Sequence, residues 1–292
     1  MTERDLLAEG FETNRAHLQA VAYRMLGSLS DADDAVQEAW LRLSRSESSA
    51  IENLGGWLTT VVARVSLDML RARTSKREEP LDAHVPDLVV SRDPTGDPEH
   101  EAVLADSVGL ALLTVLETLG PDERLAFVLH DMFGVPFDEI AQILGRSRSA
   151  AYQLASRARR RVRGAPRAPD GGLARQREVA DAYLRAARDG DFDALLALLD
   201  PEVVLRADTG ATGPGPSQVL RGARAVAEGA GMYARLARFA RPVLVNGAPG
   251  FVVAPDGQPF AVIGFTVTGG KIVEIDVLAD PVRLRELDLG LD

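Results

Sequence analysis

The chain has no cysteine among its 292 residues, which excludes disulfides and thiolate metal sites and accords with a reducing compartment. Histidine is scarce. His17, His84, His100 and His130 are scattered, with no pair at metal-ligand spacing, so neither a metal nor a cofactor is expected. No stretch approaches the roughly 18 consecutive apolar residues of a membrane-spanning helix. The opening MTERDLLAEGFETNRAHLQ is amphipathic and charged, without the apolar core of a secretory signal. A cytoplasmic protein without a membrane partner is therefore expected. What remains is an ordinary globular composition, 46% hydrophobic, and a length beyond a single typical core of about 100–200 residues.

Charge is placed unevenly. The chain carries −10 overall, yet residues 78–106 hold nine acids against one base. Residues 137–164, FDEIAQILGRSRSAAYQLASRARRRVRG, hold seven arginines against one Asp and one Glu. An acidic protein thus keeps one strongly basic segment in mid-chain.

Breaker residues divide the chain. Residues 1–77 read as helices. The proline-rich, aperiodic EEPLDAHVPDLVVSRDPTGDPEH follows and reads as a linker, set at residues 78–104. Helical periodicity returns over 105–164, and GAPRAPDGG marks a second boundary. Beyond it the texture changes. Helical stretches at Gln176–Asp189 and Phe192–Leu199, a β-like run at Glu202–Arg206 and a helix over about Gly222–Phe239 precede β-branched runs. Those runs are punctuated by Asn246-Gly247, Asp256-Gly257 and Gly269-Gly270, the signature of hairpins. Two all-helical domains followed by an α+β domain with a curved antiparallel sheet are predicted.

The basic segment reads as a helix-turn-helix. Phe137, Ile140, Ala141 and Leu144 share one face of a short helix, Gly145 stops it, and Ser147 can cap the next. On that second helix Ala151, Leu154, Ala155, Ala158 and Val162 make an apolar stripe. Ser149, Gln153, Ser156 and Arg160 lie opposite, flanked by Tyr152, Arg157 and Arg163. Polar groups suit base edges and arginines suit phosphates or guanine; a solvated basic helix end is the plainer alternative. Upstream, SLSDADDAVQEAWLRLSR opens with Ser30 as a cap and buries Ala35, Val36, Ala39, Trp40 and Leu43. This leaves Asp31, Asp34, Gln37 and Glu38 as an acidic outer face. GWLTTVVARVSLDMLRARTSKR then ends in Arg71, Arg73, Lys76 and Arg77.

Taken in order, DADDAVQEAWLRL, GWLTTVVARVSLDMLRAR and LGPDERLAFVLHDMFGVPFDEIAQILGRSRSAAYQLASRARRRVR resemble regions 2 and 4 of the extracytoplasmic-function sigma factors of bacterial RNA polymerase. The resemblance implies core RNA polymerase and promoter DNA as partners. Asp31, Asp34, Gln37 and Glu38 would meet the clamp helices of the largest polymerase subunit. Trp57, Arg64, Asp68, Arg71, Arg73, Lys76 and Arg77 would recognise and melt the −10 element. Arg146, Arg148, Ser149, Tyr152, Gln153, Ser156, Arg157 and Arg160 would read the −35 element. Many members carry Lys or Arg where this chain has Tyr152, Gln153 and Leu154, so no promoter sequence carries over. In this family the linker threads toward the polymerase cleft, and the acidic charge of this one suggests a nucleic-acid mimic.

Residues 173–292 resemble the SnoaL-like, ketosteroid-isomerase-like cone-shaped fold, which some sigma factors carry as a fused regulator. VNGAPG looks like the C-terminal motif of that subgroup, implicating Asn246, Gly247, Pro249 and Gly250. Such a fold forms a pocket that can take a small ligand. For catalysis it offers only Tyr183, Asp208, Tyr233, Glu274 and Asp276. Asp208 reads as a turn residue, and Glu274 and Asp276 share a sheet face open to solvent or pocket. No catalytic residue is assigned, and the chain is not expected to be an enzyme. The alternative from another class is a stand-alone, ligand-responsive helix-turn-helix regulator.

Overall fold

A computed structural model describes residues 3–46, 51, 53–76, 84–91, 110–164, 172–232, 234–287 and 289. The chain divides into two compact units: Met1–Glu79 with Val115–Ala165, and Pro80–Thr114 with Pro166–Asp292.

The first unit is helical. Helices α1 (Glu3–Leu26), α2 (Leu29–Leu43) and α3 (Leu54–Lys76) pack around Phe11, Leu18, Val21 and Met25 of α1, Ala35, Val36, Ala39 and Leu43 of α2, and Leu58, Val62 and Leu70 of α3. The Phe11 and Trp40 rings meet at a tilt of 53°, their centroids 5.0 Å apart. One cap differs from expectation. Ser28, not Ser30, caps α2, its Oγ accepting from the Asp31 N–H at 3.3 Å. The left-handed Gly27 (φ 70°) delivers an extended Ser28 to the helix start, and Ser30 is already inside the first turn. After α4 (Leu110–Glu117), within which the division between units falls, come α5 (Pro121–Phe127), a π-turn at Val128–Met132, α6 (Phe137–Leu144) and α7 (Arg148–Gly164). Gly145 adopts φ 63°, and the Ser147 Oγ accepts from the Ala150 N–H at 3.2 Å, so the predicted turn and cap both form. Ala151, Leu154, Ala155 and Ala158 of α7 are buried.

The second unit holds a seven-stranded sheet ordered β1-β4-β5-β6-β7-β2-β3. Its strands are β1 (Val90–Ser91), β2 (Leu199–Asp208), β3 (Gln218–Arg221), β4 (Ala240–Val245), β5 (Ala248–Val253), β6 (Ala261–Thr268) and β7 (Lys271–Leu278). Helices α8 (Leu173–Asp189), α9 (Phe192–Leu198) and α10 (Ala223–Met232) accompany it, and α11 (Pro281–Glu286) closes the chain. All three predicted turn pairs carry positive φ at both residues, from 50° at Asn246 to 77° at Gly257. That conformation matches the twist of hairpin strands.

Three expectations are corrected. The β-like run at Glu202–Arg206 extends to Leu199–Asp208. The helix expected through Phe239 stops at Met232, and a short 3-10 turn follows at Ala237–Phe239. The sheet is mixed, because β2 runs parallel to β7: the four-strand meander from β4 ends with β7 pointing the same way as β2. Both faces of the sheet are covered. Phe251, Phe265, Val267 and Ile275 pack with α8 and α9, whereas Val243, Val252, Val262 and Leu278 pack with Leu284 of α11 and with Val85 and Leu88 of the connector.

Candidate nucleic-acid and polymerase interfaces, and the connector clasp

Helix α7 presents Ser149, Tyr152, Gln153, Arg157 and Arg160 to solvent, with Ser156 half-buried. Tyr152 rests edge-on against Phe137 at 5.5 Å, and Phe137 stacks on His130 at 3.9 Å. The arginines divide by partner. Glu123 of α5 takes both Arg157 (2.9 Å) and Arg161 (2.7 Å), Asp131 takes Arg159 (2.6 Å), and Asp138 takes Arg148 (3.6 Å). Arg160 forms no ion pair among the described residues. The basic helix is therefore partly neutralised by acids of its own domain, which periodicity could not reveal.

On α3, Arg64, Asp68 and Arg71 fall at i, i+4 and i+7 and form one exposed stripe. Trp57 is half-buried two turns earlier on that side. Arg73 points elsewhere, pairing with Asp31 and donating to the Leu26 carbonyl at 3.0 Å. A residue expected at the −10 element thus grips one expected at polymerase. Arg77 and the side chain of Lys76 lie outside the described residues. On α2, Asp34 and Gln37 are exposed, Asp31 is half-buried, and Glu38 pairs with Arg42 at 2.8 Å.

The two helical domains meet at Asp122. One of its oxygens accepts from Arg71 of α3 at 2.8 Å, and the other accepts from Arg146 of the helix-turn-helix at 2.9 Å. Asp122 stands in the first turn of α5, where the helix dipole favours an anion. Beside it, the buried Arg124 donates to the Arg24 carbonyl at 3.1 Å, and the Arg24 guanidinium lies 4.8 Å over Phe133. Two arginines proposed for two different promoter elements therefore share one carboxylate.

In the second unit, residues 84–91 of the stretch read as a free linker are docked on the third domain. Val85 and Leu88 are fully buried, and β1 extends the sheet beside β4. Asn246 brackets Val89, its N–H donating to the Val89 carbonyl and its Oδ1 accepting from the Val89 N–H, both at 2.8 Å. Asp208 does more than turn the chain. It accepts from the Gly210 N–H (3.2 Å), the Val85 N–H (3.2 Å) and Arg283 (2.7 Å), and its Oδ2 lies 3.1 Å from His84 Nδ1. Arg283 also binds Asp87 and the Val85 carbonyl, both at 2.7 Å. Burial pushes the Asp208 carboxyl up, but the hydrogen bonds from His84 and Val85, the Arg283 charge and the Gly210 N–H outweigh it and hold the group below the usual aspartate range. Gly250 belongs to the same construction: a Cβ there would stand 2.4 Å from the Ile263 carbonyl and 2.6 Å from Val245. Within the described connector, Asp87 is the one acid, and Arg283 takes it. The other acids on which the nucleic-acid mimic rested lie outside the described residues.

Between the sheet and helices α8 and α10 lies a cavity of about 200 Å³ lined by Tyr183, Ala187, Leu205, Ile263, Val277 and other largely apolar groups. Glu274 and Asp276 do not face it. They alternate with the lining residues Ile275 and Val277, point to the opposite face and are buried there with Arg206. Tyr233 lies outside the described residues. Among the described residues, no ionisable group other than the Tyr183 phenol lines the cavity.

Comparison with known proteins bears on both units. Residues 11–76 match the family described as Sigma-70 region 2, and residues 109–162 match Sigma-70, region 4. The ECF RNA polymerase sigma factor SigJ of Mycobacterium tuberculosis is 43% identical over 213 residues, covering 73% of this chain and 68% of SigJ. A probable ECF RNA polymerase sigma factor of that species, SigI, is 35% identical over 297 residues, covering 98% of both chains. The crystal structure of SigJ superposes with a TM-score of 0.77 at 36% identity, covering 97% of this chain and 99% of that one.

Proposed function

The chain belongs to the extracytoplasmic-function RNA polymerase sigma factors of the sigma-70 family, and from that premise we propose how its parts divide the work. The exposed Asp34 and Gln37, with Asp31 and Glu38, form the contact to core polymerase. The stripe Arg64, Asp68 and Arg71, with Trp57, Arg73, Lys76 and Arg77, engages the −10 element. The outer face of α7, from Arg146 to Arg160, engages the −35 element. Promoter DNA and core polymerase are the partners, and the chain acts in the cytoplasm. The third domain restrains the sigma domains rather than catalysing a reaction. Its carboxylates Glu274 and Asp276 face away from the cavity, which leaves no carboxylate base beside a bound substrate among the described residues.

The single observation that carries the restraint is the docking of residues 84–91 on the third domain through Asp208, Arg283 and Asn246. The connector is the only covalent link between the two sigma domains. Pinning it shortens the free tether and limits how far those domains can separate. Ordering eight residues costs more than burying Val85 and Leu88 returns, so the polar contacts decide whether the connector stays docked.

Transcription from a cognate promoter by purified core polymerase, with and without the chain, tests the assignment. Initiation should depend on the chain, and Asp208→Asn should raise its output at equal protein level. Tight promoter binding by the chain alone, without chain-dependent initiation, would favour a stand-alone regulator. Equal output from Asp208→Asn and the unaltered chain would remove the restraining role.

A further inference from the structure

The cavity of the third domain holds an unmade interaction. Tyr183 is 8% exposed, packs edge-on against Phe265 at 5.3 Å and lines the cavity, and its hydroxyl has no hydrogen-bond partner among the described residues. A buried tyrosine hydroxyl ordinarily finds a partner. Burial pushes the phenol's ionisation up, so the group remains a protonated donor at neutral pH. Among the described residues, the remaining walls are aliphatic or aromatic, and Thr209 and Gln218 supply the other polar side chains. A charged ligand would be desolvated here without a counter-ion, at large cost. For scale, an engineered apolar cavity of about 150 Å³ accepts benzene, so about 200 Å³ suits one or two fused rings.

The cavity also lies across one strand from the connector. Near the end of β2, Ala207 and Thr209 line the cavity, whereas Asp208 between them holds the connector. The following loop is tied to both. The Gly210 N–H donates to Asp208, the Thr209 hydroxyl donates to the Gly215 carbonyl, and Pro214, Gly215 and Pro216 line the cavity.

We propose that this cavity binds a neutral, mainly apolar molecule of one or two rings bearing a hydrogen-bond acceptor for Tyr183, and that occupancy tightens the Asp208 clasp on the connector. This rests on the reading of the third domain as a restraint and gives that restraint a chemical input. A cavity already formed while the connector is docked binds its ligand without rearrangement. Ligand then favours the docked state by its differential affinity for it.

The test uses the full chain with three probes: 2-acetylnaphthalene, naphthalene and 2-naphthoate. Calorimetry gives affinities, and hydrogen exchange followed on residues 84–91 gives connector opening. The neutral ketone should bind. Tyr183→Phe should weaken the ketone about tenfold, the worth of one hydrogen bond, and leave naphthalene unchanged. The naphthoate should bind more weakly than the ketone, and the ketone should slow exchange at Val85 and Val89. Ala230→Phe, which fills the cavity, should abolish both effects with its melting temperature confirming the fold. Should that variant not fold, the Tyr183→Phe contrast between ketone and naphthalene still decides. No ketone binding, naphthoate binding as tight as the ketone, or binding without slower connector exchange would overturn the proposal. Chain-dependent transcription by unliganded protein reads the sigma-factor assignment separately and survives any of these failures.

Discussion

At Asn246, one residue meets two demands at once. Its backbone has φ 50°, a left-handed conformation that Asn tolerates better than most side chains, and its Oδ1 accepts the half-buried Val89 N–H. Asn246→Gly keeps the conformation and loses the acceptor. It is expected to weaken connector docking by about 1 kcal/mol, the net worth of one hydrogen bond at a half-buried donor. Asn246→Ala adds the strain of a left-handed alanine, about 1 kcal/mol more. Hydrogen exchange at the Val89 amide should therefore rank the native chain slowest, Gly intermediate and Ala fastest. On α7 the same scale separates two kinds of contact. Gln153 has a side chain suited to a base edge, and Arg160 forms no ion pair among the described residues. Gln153→Ala should lower discrimination among −35 variants by about 1–3 kcal/mol. Arg160→Ala should weaken holoenzyme binding to all variants alike and flatten its salt dependence. A filter-binding series over −35 substitutions and salt concentrations checks both.

Elements are joined by two clasps of unequal strength. Asp122 ties α3 to the helix-turn-helix through Arg71 and Arg146, whose side chains are 46% and 53% exposed. Such solvated pairs contribute no more than about 1 kcal/mol. Asp122→Asn should leave the melting temperature nearly unchanged while releasing two arginines for phosphate. Promoter affinity of the holoenzyme should rise a few-fold at low salt, and the gain should vanish at high salt. The Asp208 clasp between β2, α11 and the connector is largely buried, and its pH dependence has a definite sign. A carboxyl held below the ordinary value near 3.8 in the folded chain stabilises docking above that value. The contribution is lost as pH falls through the lower folded value. Connector exchange, corrected for intrinsic rates, should be flat from neutral pH to about pH 4 and accelerate below it. Asp208→Asn should remove that acid step.

For the whole molecule, net charge sets what the chain does unaided. At −10, with Glu123, Asp122 and Asp131 each occupied by arginines of the DNA-facing domains, the free chain presents little uncompensated positive charge. Non-specific affinity for DNA scales with phosphates neutralised. The free chain should thus bind a promoter duplex at least about 100-fold more weakly than the holoenzyme does, as fluorescence anisotropy at matched ionic strength would show.

Much of this protein is local chemistry and therefore legible in its residues. Gly145 with Ser147, the apolar residues Ala151, Leu154, Ala155 and Ala158 of α7 and the three turn pairs depend on neighbours within a turn or two, and each forms as the spacing predicts. The alternation in β7 likewise put Glu274 and Asp276 on one face, but alternation is silent about which face meets the cavity. Only packing answered that, by burying both with Arg206 on the connector side. Asp122, to which neither motif nor periodicity assigned a role, is the meeting point of Arg71 and Arg146 because folding brought together residues 51 and 24 positions away from it. Asp208 was legible as a turn, and Gly210 makes it one, yet its grip on Val85 spans 123 residues. Most helices, the hairpins and the family are readable in the residue order, since these follow from short-range sterics and recurring motifs. The tertiary structure alone decided where the charges find their partners, because electrostatic pairing depends on distance in space and on burial, and neither is written in the order of the chain.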